Sequence, residues 1–160
     1  MIDTEKIRFK LGKESSEYLQ ILAHSYAYPD STDFWDGNWI NTRIIIKVGG
    51  FKGDYEAQLR NVDFFDFKKG LENLYNILDG YANFNCIEDY LRIKIKGDGL
   101  GHFSAYCIAI DNPGINGHTL KFSIEFDQTE IHSLTKMIDD LLKEFPIKEI
   151  EQIQKNKGIQ

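Results

Sequence analysis

Leu91-Arg92-Ile93-Lys94-Ile95-Lys96 decides the fold class. Its period of two sends three apolar side chains to one side of an extended chain and three cations to the other. Leu120-Lys121-Phe122-Ser123-Ile124-Glu125-Phe126 repeats the pattern. Parallel sheets are covered on both faces and read as continuous apolar runs, so this alternation belongs to an antiparallel sheet with one solvated face. The reading predicts burial of Leu91, Ile93, Ile95, Leu120, Phe122, Ile124 and Phe126. Working outward, weaker strand patterns lie at Ile7–Leu11, Tyr18–Tyr28, Trp39–Val48, Tyr55–Arg60, Tyr81–Cys86 and Phe103–Ile110. Glycine-rich stretches, Gly49-Gly50-Phe51-Lys52-Gly53 and Gly97-Asp98-Gly99-Leu100-Gly101, separate neighbouring strands as hairpin turns.

Two segments carry helical spacing instead. Phe64, Phe67, Leu71, Leu74 and Leu78 form one apolar stripe, with Asp63 as the expected N-cap and Gly80 just past the end. Gly70 inside this stripe costs about 1 kcal/mol relative to Ala. Ile131, Leu134, Ile138, Leu141, Leu142 and Phe145 form the second stripe, opened by Asp127 and Glu130 and stopped by Pro146. Each half of the chain thus ends in a helix, although the halves share no sequence match. The expected architecture is α+β: a twisted, mostly antiparallel sheet with two helices packed on one face.

The 160 residues suit a single domain, taken as 1–148, with a polar C-terminal tail over 149–160. An apolar share of 42% with 28% charged residues is globular rather than disordered composition. The net charge of −6 argues against a nucleic-acid partner, which requires a cationic footprint, and leaves room for a basic protein partner. No apolar run reaches the roughly 20 residues of a membrane span, and Met1–Lys13 lacks a signal-peptide core. Cys86 and Cys107 lie in strand-like apolar surroundings and read as buried free thiols, which points to the cytoplasm.

The segment Asp30-Ser31-Thr32-Asp33-Phe34-Trp35-Asp36-Gly37-Asn38-Trp39 concentrates both tryptophans and three carboxylates ahead of the most apolar strand. Large aromatics beside fixed carboxylates make a recognition surface, and equally they make the lid of a core. On the first reading Asp30, Asp33, Phe34, Trp35, Asp36 and Trp39 are the candidate partner-binding residues, with Trp35 exposed and Trp39 towards the core.

Other chemistry is weakly indicated. The glycines at 97–101 are followed by a strand rather than by the helix that a phosphate cradle needs. His24, His102, His118 and His132 lack metal-ligand spacing, although His102 and His118 flank loops that pairing could bring together. Asp30, Asp33, Asp36 and Asn38 depart from a calcium loop, since Phe34 and Trp35 interrupt them and Asn41 holds the twelfth place. No serine or cysteine sits in a nucleophile motif, so no catalytic residue, metal or cofactor is assigned. An alternative is a small-ligand-binding domain or an enzyme with its site near the Asp30–Trp39 loop.

Four blocks in order carry a resemblance: Tyr28 to Trp39, then Val48-Gly49-Gly50-Phe51, then Gly97 to His102, then Phe126-Asp127-Gln128-Thr129. Together they resemble the WapI-family immunity proteins of bacteria. The resemblance implies a small cytoplasmic, non-catalytic protein that binds a cognate toxin C-terminal domain, here a tRNA-cleaving one, and blocks it stoichiometrically. The negative net charge suits a toxin domain that grips RNA through its own cations.

Overall fold

The period-two runs all become strands, and the two stripes become helices. The structure, a computed structural model, describes residues 7–148. In chain order these are β1 (Ile7–Gly12), β2 (Tyr18–Tyr26), β3 (Trp39–Val48), β4 (Phe51–Arg60), α1 (Asn61–Ile77), β5 (Asp79–Asn85), β6 (Leu91–Asp98), β7 (His102–Ile110), β8 (Thr119–Asp127) and α2 (Gln128–Glu144). The α+β reading therefore holds. The antiparallel strands divide into two four-stranded meanders, β1-β2-β3-β4 and β5-β6-β7-β8, each followed by a helix. The two halves thus repeat one topology. The 149–160 tail lies outside the described residues.

The inner faces of both sheets and the stripes of both helices form one continuous core. Phe84 of β5 is its centre. The ring lies 4.9 Å from Phe64 and 5.7 Å from Phe67, and both of those rings also meet Phe9 of β1, at 6.2 and 5.9 Å. Helix α1 therefore joins the two sheets. Gly70 has a reason to be glycine, because a Cβ there would lie 3.1 Å from the Cβ of Ala82 on β5. The helix sits close on its strand, and the packing gained offsets the propensity lost. An ion pair between Lys68 and Asp139 holds α1 beside α2.

Three expectations need correction. Leu120 and Phe122 are only half-buried, while Leu91, Ile93, Ile95, Ile124 and Phe126 are buried as expected. The two exceptions lie in the first half of β8, whereas Ile124 and Phe126 lie in the half that runs directly into α2. Asp63 is not the N-cap of α1. The helix starts at Asn61 after Arg60, which makes no side-chain cap, and the Asn61 amide donates instead to the Asn38 carbonyl at 3.1 Å. Asp127, by contrast, caps α2 by accepting from the Thr129 amide at 2.9 Å. His102 and His118 do not meet: they sit at opposite ends of β7 and the turn that follows it, and His118 pairs with Asp111 at 3.2 Å.

A buried polar hub fixes the segment between β2 and β3. Asn38 and Asn61 are both fully buried. The Asn38 amide group donates to the Phe34 carbonyl (2.7 Å), and its oxygen accepts from the Asn61 side chain (3.2 Å) and the Lys148 backbone amide (2.8 Å). Asn61 donates further to the Phe145 carbonyl at 3.1 Å. One pair of amides thus joins the 27–38 loop, the start of α1 and the strap after α2. Lys148 completes the tie, with its ammonium 2.8 Å from the Ser31 carbonyl and 4.1 Å from the centre of the Tyr26 ring.

Two stability predictions follow from this packing, both read by chemical denaturation. Phe84→Ala should cost about 3–5 kcal/mol, the range for a fully buried ring, whereas half-buried Phe122→Ala should cost about 1–2 kcal/mol; the reverse order would refute the assignment of the core's centre. Asn38→Ala leaves several buried groups without partners and should cost at least about 2 kcal/mol. A loss under about 0.5 kcal/mol would show that the hub carries little of the fold's stability.

Candidate functional site

The loop between β2 and β3 is polar and tightly wired. Asp33 is its internal staple. Its carboxylate accepts from the Trp35 amide (3.2 Å) and the Asp36 amide (3.0 Å), and its carbonyl accepts from the Gly37 amide (2.8 Å). Such a carboxylate substitutes for a helical turn in miniature. Gly37 is crowded: a Cβ there would come within 2.5 Å of the Asp33 carbonyl oxygen and 2.8 Å of that of Ser31. The chain reverses on itself so closely that no side chain fits.

The aromatics of the loop gather around one cation. Arg60, at the end of β4, is almost fully buried, and its guanidinium carbon lies 5.4 Å from the Phe34 ring centre, 5.1 Å from Trp35 and 5.8 Å from Trp39. Its terminal nitrogen donates to the Phe34 carbonyl at 3.0 Å. A guanidinium is planar and weakly hydrated, so aromatic faces can take the place of water around it. The register explains the arrangement: Trp39 pairs with Arg60 across β3 and β4, so both side chains leave the same face of the sheet. The loop then folds Phe34 and Trp35 over them.

Of the six residues singled out in the sequence, Phe34, Trp35 and Trp39 are brought together around Arg60. Trp35 is 63% exposed, while Phe34 and Trp39 are half-buried. Asp30 and Asp36 are exposed on the loop; Asp33 is exposed too, but its carboxylate is occupied by its own turn. Asp36 and Trp39 line an open cavity of about 480 Å³ together with Tyr28, Ser31, Gln58 and Glu88. Asp30 and Trp35 are not part of that lining.

Glu88, Tyr28, Gln58 and Arg60 were missed in the sequence. Tyr28 and Arg60 are end residues of quoted segments with no role assigned to them, and the strand pairing of Trp39 with position 60 would have exposed the arginine. Glu88 offers no local signal, since it comes from the β5–β6 turn in the other half of the chain. That turn is well fixed: Asp89 adopts a left-handed conformation (φ 64°) and donates its amide to the Cys86 carbonyl, and Arg92 forks onto the Asp89 carboxylate.

Beneath the aromatics, the first turn of α1 places Asp63 in a largely dry position with one carboxylate oxygen unpaired. Burial pushes its pKa up to about 6, against the attraction of Arg60. Burial likewise pushes the Cys107 thiol up to about 12 and raises that of Cys86; both cysteines are free and buried, which makes them inert rather than nucleophilic. Among the described residues no group of His, Cys, Asp and Glu is placed to hold a metal ion.

The raised pKa of Asp63 has a testable sign. At this group the folded chain binds the proton more tightly than the unfolded chain, so the contribution of Asp63 to stability is greatest below about pH 4 and is lost as pH rises through about 6. Discounted for partial exposure, Asp63→Asn should stabilise the protein by about 1 kcal/mol at pH 8 and by almost nothing at pH 4. Melting curves at the two pH values measure it, and an equal effect at both would refute a charge-based penalty.

No curated protein matches the chain. Among solved structures, it is similar to the MRP1/MRP2 proteins of trypanosoma bruciei, at 12% identity over 86% of this chain and 83% of that one, with a TM-score of 0.48. It is also similar to a guideRNA-binding protein complex bound to a gRNA, at 14% identity over 88% and 92% of the two chains, with a TM-score of 0.49. A model of the immunity protein WapI-like family matches residues 10–146, a span that takes in the 27–38 loop, both helices and all strands from β2 to β8. The chain belongs to the immunity protein WapI-like family.

Proposed function

We propose that this protein binds and neutralises a cognate bacterial toxin domain, that the toxin domain is basic and cleaves RNA, and that the contact is made by the loop carrying Asp30, Phe34, Trp35, Asp36 and Trp39. Family membership supports the immunity role. The observation that carries the choice of surface is the state of Trp35: a large aromatic, 63% exposed, is held against a buried guanidinium rather than left free to move. Such a side chain offers contact area with little entropy left to lose, as binding hot spots do.

The electrostatics run the same way. The cations that touch the loop, Arg60 and Lys148, are turned inward onto rings and carbonyl groups. The exposed carboxylates of Asp30 and Asp36 remain outward, with Glu88 nearby. An RNA-cleaving domain must present cations to phosphates, and carboxylates on a fixed loop offer the same cations a competing anion. Blocking of this kind needs no chemistry from the immunity protein and places the protein in the cytoplasm, where such a toxin would act.

Titration calorimetry with the cognate toxin domain, at low and high salt, tests the reading. Asp30→Lys with Asp36→Lys should weaken binding at least tenfold and flatten its salt dependence while leaving the melting temperature nearly unchanged. Asp33→Lys should instead lower stability, because that carboxylate staples the turn. Trp35→Ala should cost about 2 kcal/mol or more of affinity. Unaltered affinity in the Asp30/Asp36 double reversal would move the interface elsewhere on the molecule.

A further inference from the structure

The cavity beside Trp39 is a second feature of this surface, distinct from the exposed Trp35. Its walls come from three places that are remote in sequence: Tyr28, Ser31 and Asp36 from the loop, Trp39 and Gln58 from paired strands, and Glu88 from the β5–β6 turn. We propose that this cavity is a receptor for a single arginine side chain of the partner protein, with the guanidinium between the Tyr28 and Trp39 rings and the Asp36 and Glu88 carboxylates. The inference deepens the reading of the loop as a toxin-binding surface and rests on it for the source of the arginine.

Three observations favour a guanidinium over other occupants. The lining pairs two aromatic rings with two carboxylates, the combination that stacks a planar cation and receives its N–H groups. Neither carboxylate has its charge taken up by an arginine or lysine in the described structure: the nearby forks are Arg92 with Asp89 and Arg43 with Asp54, and Arg60 and Lys148 are spent on rings and carbonyls. One ring of the lining, Trp39, already meets a guanidinium internally, that of Arg60 at 5.8 Å. At about 480 Å³ the cavity also has room for the backbone flanking an arginine, with the side chains of Gln58 and Ser31 at its wall. A lysine ammonium, compact and strongly hydrated, would match the carboxylates but not the stacking. An aliphatic side chain would leave both carboxylates facing apolar surface.

The test uses the full chain labelled with ¹⁵N, whose two tryptophan indole N–H resonances are told apart with Trp35→Phe. The probes are the N-acetyl methylamides of arginine, lysine and norleucine. The arginine probe should shift the Trp39 indole signal saturably in the millimolar range, several-fold more tightly than the lysine probe, and the norleucine probe should leave it in place. Glu88→Gln with Asp36→Asn should weaken arginine binding about tenfold while keeping the rest of the spectrum folded. Equal response to norleucine, no saturable shift of Trp39, or unchanged binding in the double variant would each overturn the proposal. Arginine binding here together with a toxin domain indifferent to the loop would overturn the interface reading and leave this site standing. Toxin binding through the loop without any arginine response would overturn this inference alone.

Discussion

Asn38 and Asn61 have no access to water, so every hydrogen bond they make must come from the protein. That requirement organises everything around the loop. The partners are drawn from three segments that would otherwise be independent: the loop itself, the first turn of α1, and the strap that follows α2. None of the three can move without stranding a buried polar group, at about 1–3 kcal/mol apiece. A polar loop of this kind would ordinarily fray on the surface. Here it is fastened at its base, which makes it a rigid presenter of side chains rather than a flexible connector.

Arg60 adds the second constraint. A nearly buried cation with few hydrogen-bond partners is costly unless something replaces its water, and three aromatic rings do so here. The rings in turn gain a fixed partner, and Trp35 can stay exposed without disorder. The two readings of the tryptophan segment, recognition surface or core lid, are therefore not exclusive in this fold. Trp39 and Phe34 close over the end of the sheet, while Trp35 uses the same guanidinium as a support and faces outward.

How much of this was legible in the sequence depends on the range of the interaction concerned. The alternation at 91–96 and the stripes at 64–78 and 131–145 are local, and they placed the strands, the helices and the division of the chain into like halves. The Asp127 cap is also local and was read correctly. The errors arise where a distant partner replaces a local one. Asp63 resembles an N-cap, but the carbonyl of Asn38 had already satisfied the helix start. Phe122 alternates like its neighbours on the same strand, but periodicity cannot report how far along the strand the core extends. Asp33, counted among the outward carboxylates, spends its oxygens on its own loop. Glu88 joined the site only when the second half folded against the first.

The distribution of charge illustrates why the sum is a poor guide to a surface. The outer face of the second sheet carries Arg92, Lys94, Lys96 and Lys121 towards one end of its strands, and Asp79, Asp98, Glu125 and Asp127 towards the other. A net charge of −6 says nothing of this segregation along one face. The loop end, with Asp30, Asp36 and Glu88 outward and its cations turned inward, is a second place where carboxylates gather. A protein whose charges are unevenly placed would orient a charged partner as well as attract it, because a basic domain would be drawn to the carboxylates of the loop and away from the cations at the Arg92 end of the sheet. Orientation of this kind raises the fraction of encounters that are productive, and with a rigid loop to meet, little reorganisation remains after contact.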